Sequence, residues 1–480
     1  MTEPLVTIDD GETAPAGLLE AIIASEESAT PPRTLFSVRI HRAGPGVSYV
    51  ISENRPARGG VGYVSQLWRQ GDDGRWRVVH QHEITPPPAI DTRVWRLAGA
   101  PLVAGAADGP LKGQTLAVKD VFSIAGQRKG VGVREYLEHA PLEFETAPAV
   151  RALLDAGASV VGIAQTDQFA YSIAGLNPDY GPPPNPAAPG RIPGGSSSGP
   201  ASAVALGQAS IGIGTDTAGS IRVPASYQGL WGLRPTHGAI PLHGVTPLAP
   251  GYDTVGYLTR DGETMLTVAA VGLSGAPFTR PSQHILVPQN ELTPDAEVAQ
   301  AFITATRGLA PNAERVTLPD LGELYQAFRV TQQAQAWRAH GAWVTAHPGV
   351  LAPDVAARFA AASAVTAQRE AEGIAARDAL AEELDKLLGE AILLIPSAAS
   401  AAPLLTATDD DLEAVRVATL SLTSIAGITG RPALSVPLLR VEGGPVGVSL
   451  VGPRGSDMAL IREALAWMRN MGEARQRRTS

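Results

Sequence analysis

Apolar and polar side chains alternate in four short runs near the N-terminus, at residues 35–41, 47–52, 62–69 and 76–84. Turn-forming residues separate them, such as Gly44, Pro45 and Gly46, and then Gly71, Asp72, Asp73 and Gly74. Period-two alternation between such turns predicts a small antiparallel sheet. Residues 16–27 carry the spacing of a short helix that can pack on it. Pro86, Pro87 and Pro88 then end the pattern. Three successive prolines donate nothing to a strand ladder and form a stiff extended linker. Residues 1–88 are therefore expected to form a small α+β domain, and residues 89–480 a second, larger one.

The rhythm changes after the prolines. Residues 115–118 read as a strand. Residues 147–154 read as a helix with Thr146 as N-cap and Pro148 in its first turn. Residues 158–163 read as the next strand. Further strand-like runs fall at 284–287, 392–395, 434–436 and 446–451, and the stretch 321–388 is mostly helical in period. Strands alternating with helices predict an α/β domain with a mixed or largely parallel sheet covered by helices. No internal repeat is present. The alanine-rich patches 356–367 and 398–402 read as helix and loop.

Composition narrows the function. Hydrophobic residues make up 44% of the 480 positions and charged residues 18%, which suits a packed globular chain and argues against disorder. A formal net charge of −9 makes a nucleic-acid partner unexpected. Arg475, Arg477 and Arg478 read as a solvated tail. The absence of cysteine removes disulfides, zinc–thiolate sites and a cysteine nucleophile. Residues 1–10 are acidic and lack the pattern of a signal peptide. No purely apolar run reaches about 18 residues, so no membrane span and a cytoplasmic location are expected. Nothing in the pattern calls for a cofactor or a metal.

The chemistry concentrates in residues 194–224, GGSSSGPASAVALGQASIGIGTDTAGSIRVP. Gly199 and Pro200 can open a helix of small side chains. Residues 210–214 read as a short buried strand, 215–220 as a tight turn, and a second helix starts near Ile221. Gly214 and Gly219 permit backbone angles that a Cβ forbids. Successive amides in such a turn can point into one cavity, as an oxyanion hole or anion nest does. A flexible Gly/Ser linker is the plainer reading, but it does not carry Val204, Leu206, Ile211 and Ile213 at buried-element spacing, nor Asp216 and Arg222 beside the turn. A phosphate-binding GxxxxGK[ST] loop is excluded, because no lysine follows the glycines.

This segment resembles the signature of the amidase signature family, and Lys119, within Ala117-Val118-Lys119-Asp120, sits in the matching upstream motif. The resemblance runs from about Leu111 to the C-terminal helix. Within the family the chain resembles most the plant indole-3-acetamide amidase group, through residues 169–173, 194–199, 234–238 and 422–427. The resemblance implies a catalytic triad of Lys119, Ser196 and Ser220, with a cis peptide bond before Ser196. It implies an oxyanion hole of the backbone amides of Thr217, Ala218, Gly219 and Ser220, with Asp216 and Arg222 supporting the turn. Three departures bear on the substrate pocket. Ala218 replaces a glycine, Gln168 stands where many members carry an acid, and a threonine-rich stretch is missing around Lys129 and Gly130. Residues 62–68 and 74–79 resemble part of a SnoaL-like, cystatin-fold domain. Two roles stand open for that module, homodimerisation and a part in catalysis.

The residue types suit amide hydrolysis. A serine hydroxyl needs a base to become a nucleophile. No histidine lies between His139 and His237, which weakens a Ser-His-Asp arrangement using His237 or His243. A buried neutral lysine can serve instead, with a second serine bridging amine and nucleophile. A lone lysine is more often a surface partner of its neighbour, here Asp120; the apolar strand before it and the family match favour the buried role. Ser196, Ser197 and Ser198 could equally cap a helix, and Ser197 is the candidate cap. Trp231 and Tyr227 read as packing. The expected activity is hydrolysis of a small carboxylic amide, such as an arylacetamide, to acid and ammonia. Two other classes remain, an amidotransferase subunit that supplies ammonia to a partner and a non-catalytic interaction module. The intact Lys119, Ser196 and Ser220 speak against the last.

Overall fold

The computed structural model describes residues 5–8, 13–27, 33–56, 62–84, 90–293 and 295–479. The expected linker at Pro86, Pro87 and Pro88 lies outside them, as do residues 1–4 and 9–10 and the side chains of Arg475, Arg477 and Arg478. The chain divides into two compact units, Met1–Asp91 and Thr92–Ser480.

In the first unit the alternating runs become β2 (Arg33–Gly44), β3 (Val47–Pro56), β4 (Gly62–Gln70) and β5 (Trp76–Ile84), an antiparallel meander. The strand β1 (Leu5–Ile8), which no alternation announced, adds in parallel to β2. Helix α1 (Leu18–Glu27) buries Leu18 and Ile22, one turn apart, against Val38, Ile40, Val50 and Trp68.

The second unit is a mixed sheet clad in helices. Its strands are β6 (Trp95–Val103), β7 (Thr115–Lys119), β8 (Ser159–Ala164), β9 (Ile211–Asp216), β10 (Trp231–Arg234), β11 (Thr254–Thr259), β12 (Ile285–Pro288), β13 (Glu314–Val316), β14 (Ile392–Pro396), β15 (Ala433–Val441) and β16 (Gly444–Val451). Their order is β13-β12-β14-β16-β15-β10-β11-β9-β7-β8-β6. β7 runs parallel to both β8 and β9, while β11 and β10 reverse direction. The helices are α2 (Arg134–His139), α3 (Pro148–Asp155), α4 (Ser198–Ala205), α5 (Arg222–Gln228), α6 (Gly262–Gly272), α7 (Ala296–Leu309), α8 (Leu321–Ala346), α9 (Pro353–Ser363), α10 (Ala367–Leu388), α11 (Asp409–Thr429) and α12 (Asp457–Thr479). Trp231 and Tyr227 are both buried in packed clusters. Among the described residues α11 alone is long and apolar enough to cross a membrane, and its second half, residues 419–429, is buried core.

The expected cap of α3 is corrected. Ala147, not Thr146, occupies the N-cap position, and no side chain caps the helix. The Thr146 hydroxyl instead accepts from the Ala125 amide at 3.1 Å, so it ties down a neighbouring loop.

The topology fixes where chemistry can gather. Because β7 and β9 are parallel neighbours, paired at Leu116↔Ile211 and Val118↔Ile213, their C-terminal ends emerge side by side. Lys119 ends β7, and Thr215 and Asp216 end β9. Crevices at the carboxyl ends of such strands are the common site of ligand binding in α/β sheets.

Candidate active site

Lys119 is fully buried, and its Nζ lies 2.8 Å from Ser196 Oγ and 2.8 Å from Thr215 Oγ1. Burial draws the amine down from 10.5 to about 7, against the opposing pull of Asp167, Asp216 and Asp253. Asp120, the neighbour in sequence, faces elsewhere. It pairs with Arg96 at 2.9 Å and accepts from the Gly130 amide at 3.0 Å. Burial raises its carboxyl to about 6, while Arg96 pulls the other way.

Ser196 follows a cis Gly195–Ser196 peptide. Its carbonyl accepts from Thr166 Oγ1 at 2.9 Å and from the Asp167 amide at 3.4 Å. Asp167 is packed so closely that a Cβ at Gly195 would meet its Oδ2 at 2.3 Å, which only glycine avoids. Ser197 sits at the N-cap position of α4 but does not cap it. Its hydroxyl donates to the Thr215 carbonyl at 3.3 Å, which corrects the expected role. The Ser197 amide donates to the Ser220 carbonyl at 3.3 Å and so holds residues 196–197 against the turn that carries Ser220.

That turn is built around Asp216. Its carboxylate accepts from the amides of Gly219 (2.8 Å) and Ile221 (3.2 Å), from Arg222 Nε (3.0 Å) and Nη2 (2.8 Å), and from Arg234 Nη1 (3.1 Å). Burial pushes the Asp216 carboxyl up, but Arg222 and Arg234 outweigh it and hold the group well below the usual range. Arg222 Nη1 continues to the Thr423 carbonyl at 2.9 Å, and Thr423 Oγ1 donates to the Ala218 carbonyl at 2.6 Å. Thr217 Oγ1 donates to Asp253, whose carboxylate also accepts from the amides of Leu248 and Ala249. The loop is thus strapped from both sides.

Two expectations for the turn need correction. Gly219 has φ 124°, a left-handed angle as expected, but Gly214 is glycine for space: a Cβ there would meet Ser197 Oγ at 2.4 Å. The Gly219 amide is spent on Asp216 and is not a free donor. The amides of Thr217, Ala218 and Ser220 donate to no protein acceptor among the described residues. These three residues line a cavity with Ala170, Tyr171 and Ile173. Phe169 and Ala170 adopt left-handed angles (φ 50° and 56°), conformations that cost non-glycine residues energy and that gather at functional sites. His237 Nε2 lies 3.0 Å from the Pro250 carbonyl, and among the described residues no histidine hydrogen-bonds Lys119, Ser196 or Ser220.

Residues 96–304 and 326–461 match the Amidase family model. The chain belongs to the amidase signature family. Amidase 1 of Arabidopsis thaliana is 36% identical over 388 residues, covering 73% of this chain and 91% of that protein. The matching subunit of the glutamyl-tRNA(Gln) amidotransferase of Methanospirillum hungatei is 28% identical over 411 residues, 75% of this chain and 93% of that one. A crystal structure of an amidase superposes with a TM-score of 0.70 at 31% identity, covering 79% of this chain and 92% of that one. The enzyme is accordingly a hydrolase of amides, built on the mixed-sheet fold of that family.

Thr215 and Asp167 escaped sequence reading. The signal for Thr215 was a hydroxyl at the end of an otherwise Gly/Ile strand, the composition of a side chain aimed at something polar. Asp167 lies between Thr166 and Gln168 with nothing in the local pattern to mark it as buried.

Proposed function

We propose that Ser220 is the nucleophile, Ser196 the proton relay and Lys119 the base, and that the substrates are small carboxylic amides. The contact that carries the reading is the 2.8 Å approach of Lys119 Nζ to Ser196 Oγ, with the amine near 7 and therefore able to hold or release a proton at working pH. Ser220 Oγ attacks the amide carbon as its proton passes to Ser196 Oγ, whose own proton passes to Lys119 Nζ. The oxyanion that forms is stabilised by the amides of Thr217, Ala218 and Ser220, donors held in place before reaction by Asp216, Asp253 and Thr423. The proton then returns through Ser196 to the leaving nitrogen, the C–N bond breaks and ammonia departs. Water attacks the Ser220 ester by the same relay and releases the acid.

The space beside Ser220 is narrow and bounded by Ala170, Tyr171, Ile173, Leu248 and Leu420, which favours a compact acyl group. Arylacetamides such as phenylacetamide and indole-3-acetamide are the proposed substrates, ahead of long-chain fatty amides. The N-terminal unit is read as an accessory module. Similarity to part of a glutamyl-tRNA(Gln) amidotransferase supports a second reading, ammonia supply to a partner. The test is ammonia release by the purified chain from a panel of free amides. Unaided turnover of arylacetamides supports hydrolysis; ammonia released only with added partner subunits supports the second reading, and preference for long acyl chains overturns the proposed substrate.

A further inference from the structure

Among the polar side chains that line the cavity of Ser220, Gln332 on α8 and Arg416 on α11 have no part in the acyl-transfer steps. Gln332 is only 4% exposed, yet its carboxamide meets no hydrogen-bond partner among the described residues. A cavity-lining carboxamide with no protein partner is free to hydrogen-bond a ligand. The Arg416 side chain is 15% exposed. Its Nη1 donates to Glu413 Oε1 at 2.9 Å and to the Tyr325 hydroxyl at 3.4 Å, while Nε and Nη2 have no protein acceptor among the described residues. Glu413 is 54% exposed, so solvent screens its charge and it neutralises Arg416 only weakly.

The surroundings add positive charge. Arg358 donates to the Tyr171 carbonyl at 3.1 Å and pairs with Asp354, itself 56% exposed. Burial pushes the Tyr171 hydroxyl up to about 12, and Arg416, Arg358 and Arg329 all pull against that rise. Three guanidinium groups therefore act on Tyr171, and the carboxylates paired with Arg416 and Arg358 are both well solvated. Ala170, Ile173, Leu248 and Leu420 supply an apolar part of the lining.

We infer that the substrate is an amide whose acyl part also carries a carboxylate, received by the free Nε and Nη2 edge of Arg416 with the Gln332 carboxamide donating beside it. This rests on the reading of Ser220 as the reacting centre. The guanidinium fork matches a carboxylate in two parallel hydrogen bonds, and the low-dielectric wall strengthens them. The apolar lining holds the spacer between the two ends. A neutral amide of the same shape leaves the arginine without its anion.

The test uses the full chain and two amides that differ by one carboxylate, phenylacetamide and 4-carboxyphenylacetamide. Calorimetry on Ser220→Ala, which binds without turnover, should show the carboxylated amide at least about tenfold tighter, the effect of one charge-assisted hydrogen bond. Arg416→Gln in that background should cost the charged amide at least about ten times more than the neutral one, and Arg416→Lys should keep part of the preference. Equal or weaker binding of the charged amide to Ser220→Ala overturns the inference, as does a preference that survives Arg416→Gln. Kinetics of the unmodified enzyme separate the two readings. Selective binding with no turnover of either amide counts against the nucleophile assignment and leaves the carboxylate site standing. Turnover of both at equal kcat/KM does the reverse.

Discussion

Lys119→Met is the perturbation whose outcome the structure prescribes most fully. The amine is entirely buried, and its pKa falls from 10.5 to about 7. The unfolded chain holds the proton up to about pH 10.5, the folded chain only up to about pH 7. Between those values unfolding takes up a proton, so this group makes stability rise with pH. Below pH 7 the full penalty is present, and it fades towards pH 10.5. Each pH unit of displacement is worth about 1.4 kcal/mol, so the burden of the amine on the fold falls by about 3 kcal/mol between pH 6 and pH 9. Methionine removes the titration while keeping an unbranched side chain. It also loses the hydrogen bonds to Ser196 and Thr215, a pH-independent cost of about 1 kcal/mol each. Guanidinium midpoints of wild type and variant at both pH values give a difference of differences, in which titrating groups not coupled to Lys119 cancel. The stability of the wild type should gain about 3 kcal/mol on the variant from pH 6 to pH 9. A difference that is flat with pH, or that moves the other way, refutes the burial argument. In parallel, wild-type kcat/KM should climb about tenfold per unit below pH 7 and level off above it.

Two further outcomes follow from the same geometry. Asp216→Asn should destabilise the fold by about 3–5 kcal/mol, because it leaves the buried Arg222 and Arg234 without their anion, and should abolish hydrolysis as the Ser220 turn loosens; a melting temperature within a degree of wild type would count against it. Removal of residues 1–88 should leave a soluble chain that still hydrolyses the same amides, because the Amidase match begins at residue 96; a truncated chain that aggregates while the full chain folds shows the N-terminal unit to be part of the core.

What the sequence disclosed and what it hid divide by range of interaction. The strands of the first unit announced themselves because half-exposed strands alternate, as Val38 and Ile40 do against their exposed neighbours. Strands such as β10 and β11 are buried throughout and only four to six residues long, so they carry no alternation to read. The start of α11 was legible in principle: Thr408 and Asp411 form a capping box, a spacing visible in the chain. The hydroxyls of Thr146 and Ser197 were misjudged for a common reason. A cap is a local inference, and both found acceptors or donors on distant elements instead. The same limit applies to the loop proposed as the oxyanion hole. Which of four successive amides remains free depends on where the Asp216 carboxylate turns, and it turns to Gly219. Gln332 and Arg416 stand far from the signature segment in sequence and meet its turn only because α8 and α11 both pack beside it.

The central claim is that Ser220 becomes acylated through Ser196 and Lys119. Mass spectrometry of the enzyme after treatment with a serine-directed sulfonyl fluoride or phosphonyl fluoride tests it most directly. The expected result is one adduct per chain, mapped to Ser220, with activity lost in proportion, and no adduct in Ser220→Ala or when Lys119→Arg keeps the base protonated. Inactivation with the label on another residue, or full labelling of Lys119→Arg at the wild-type rate, contradicts it.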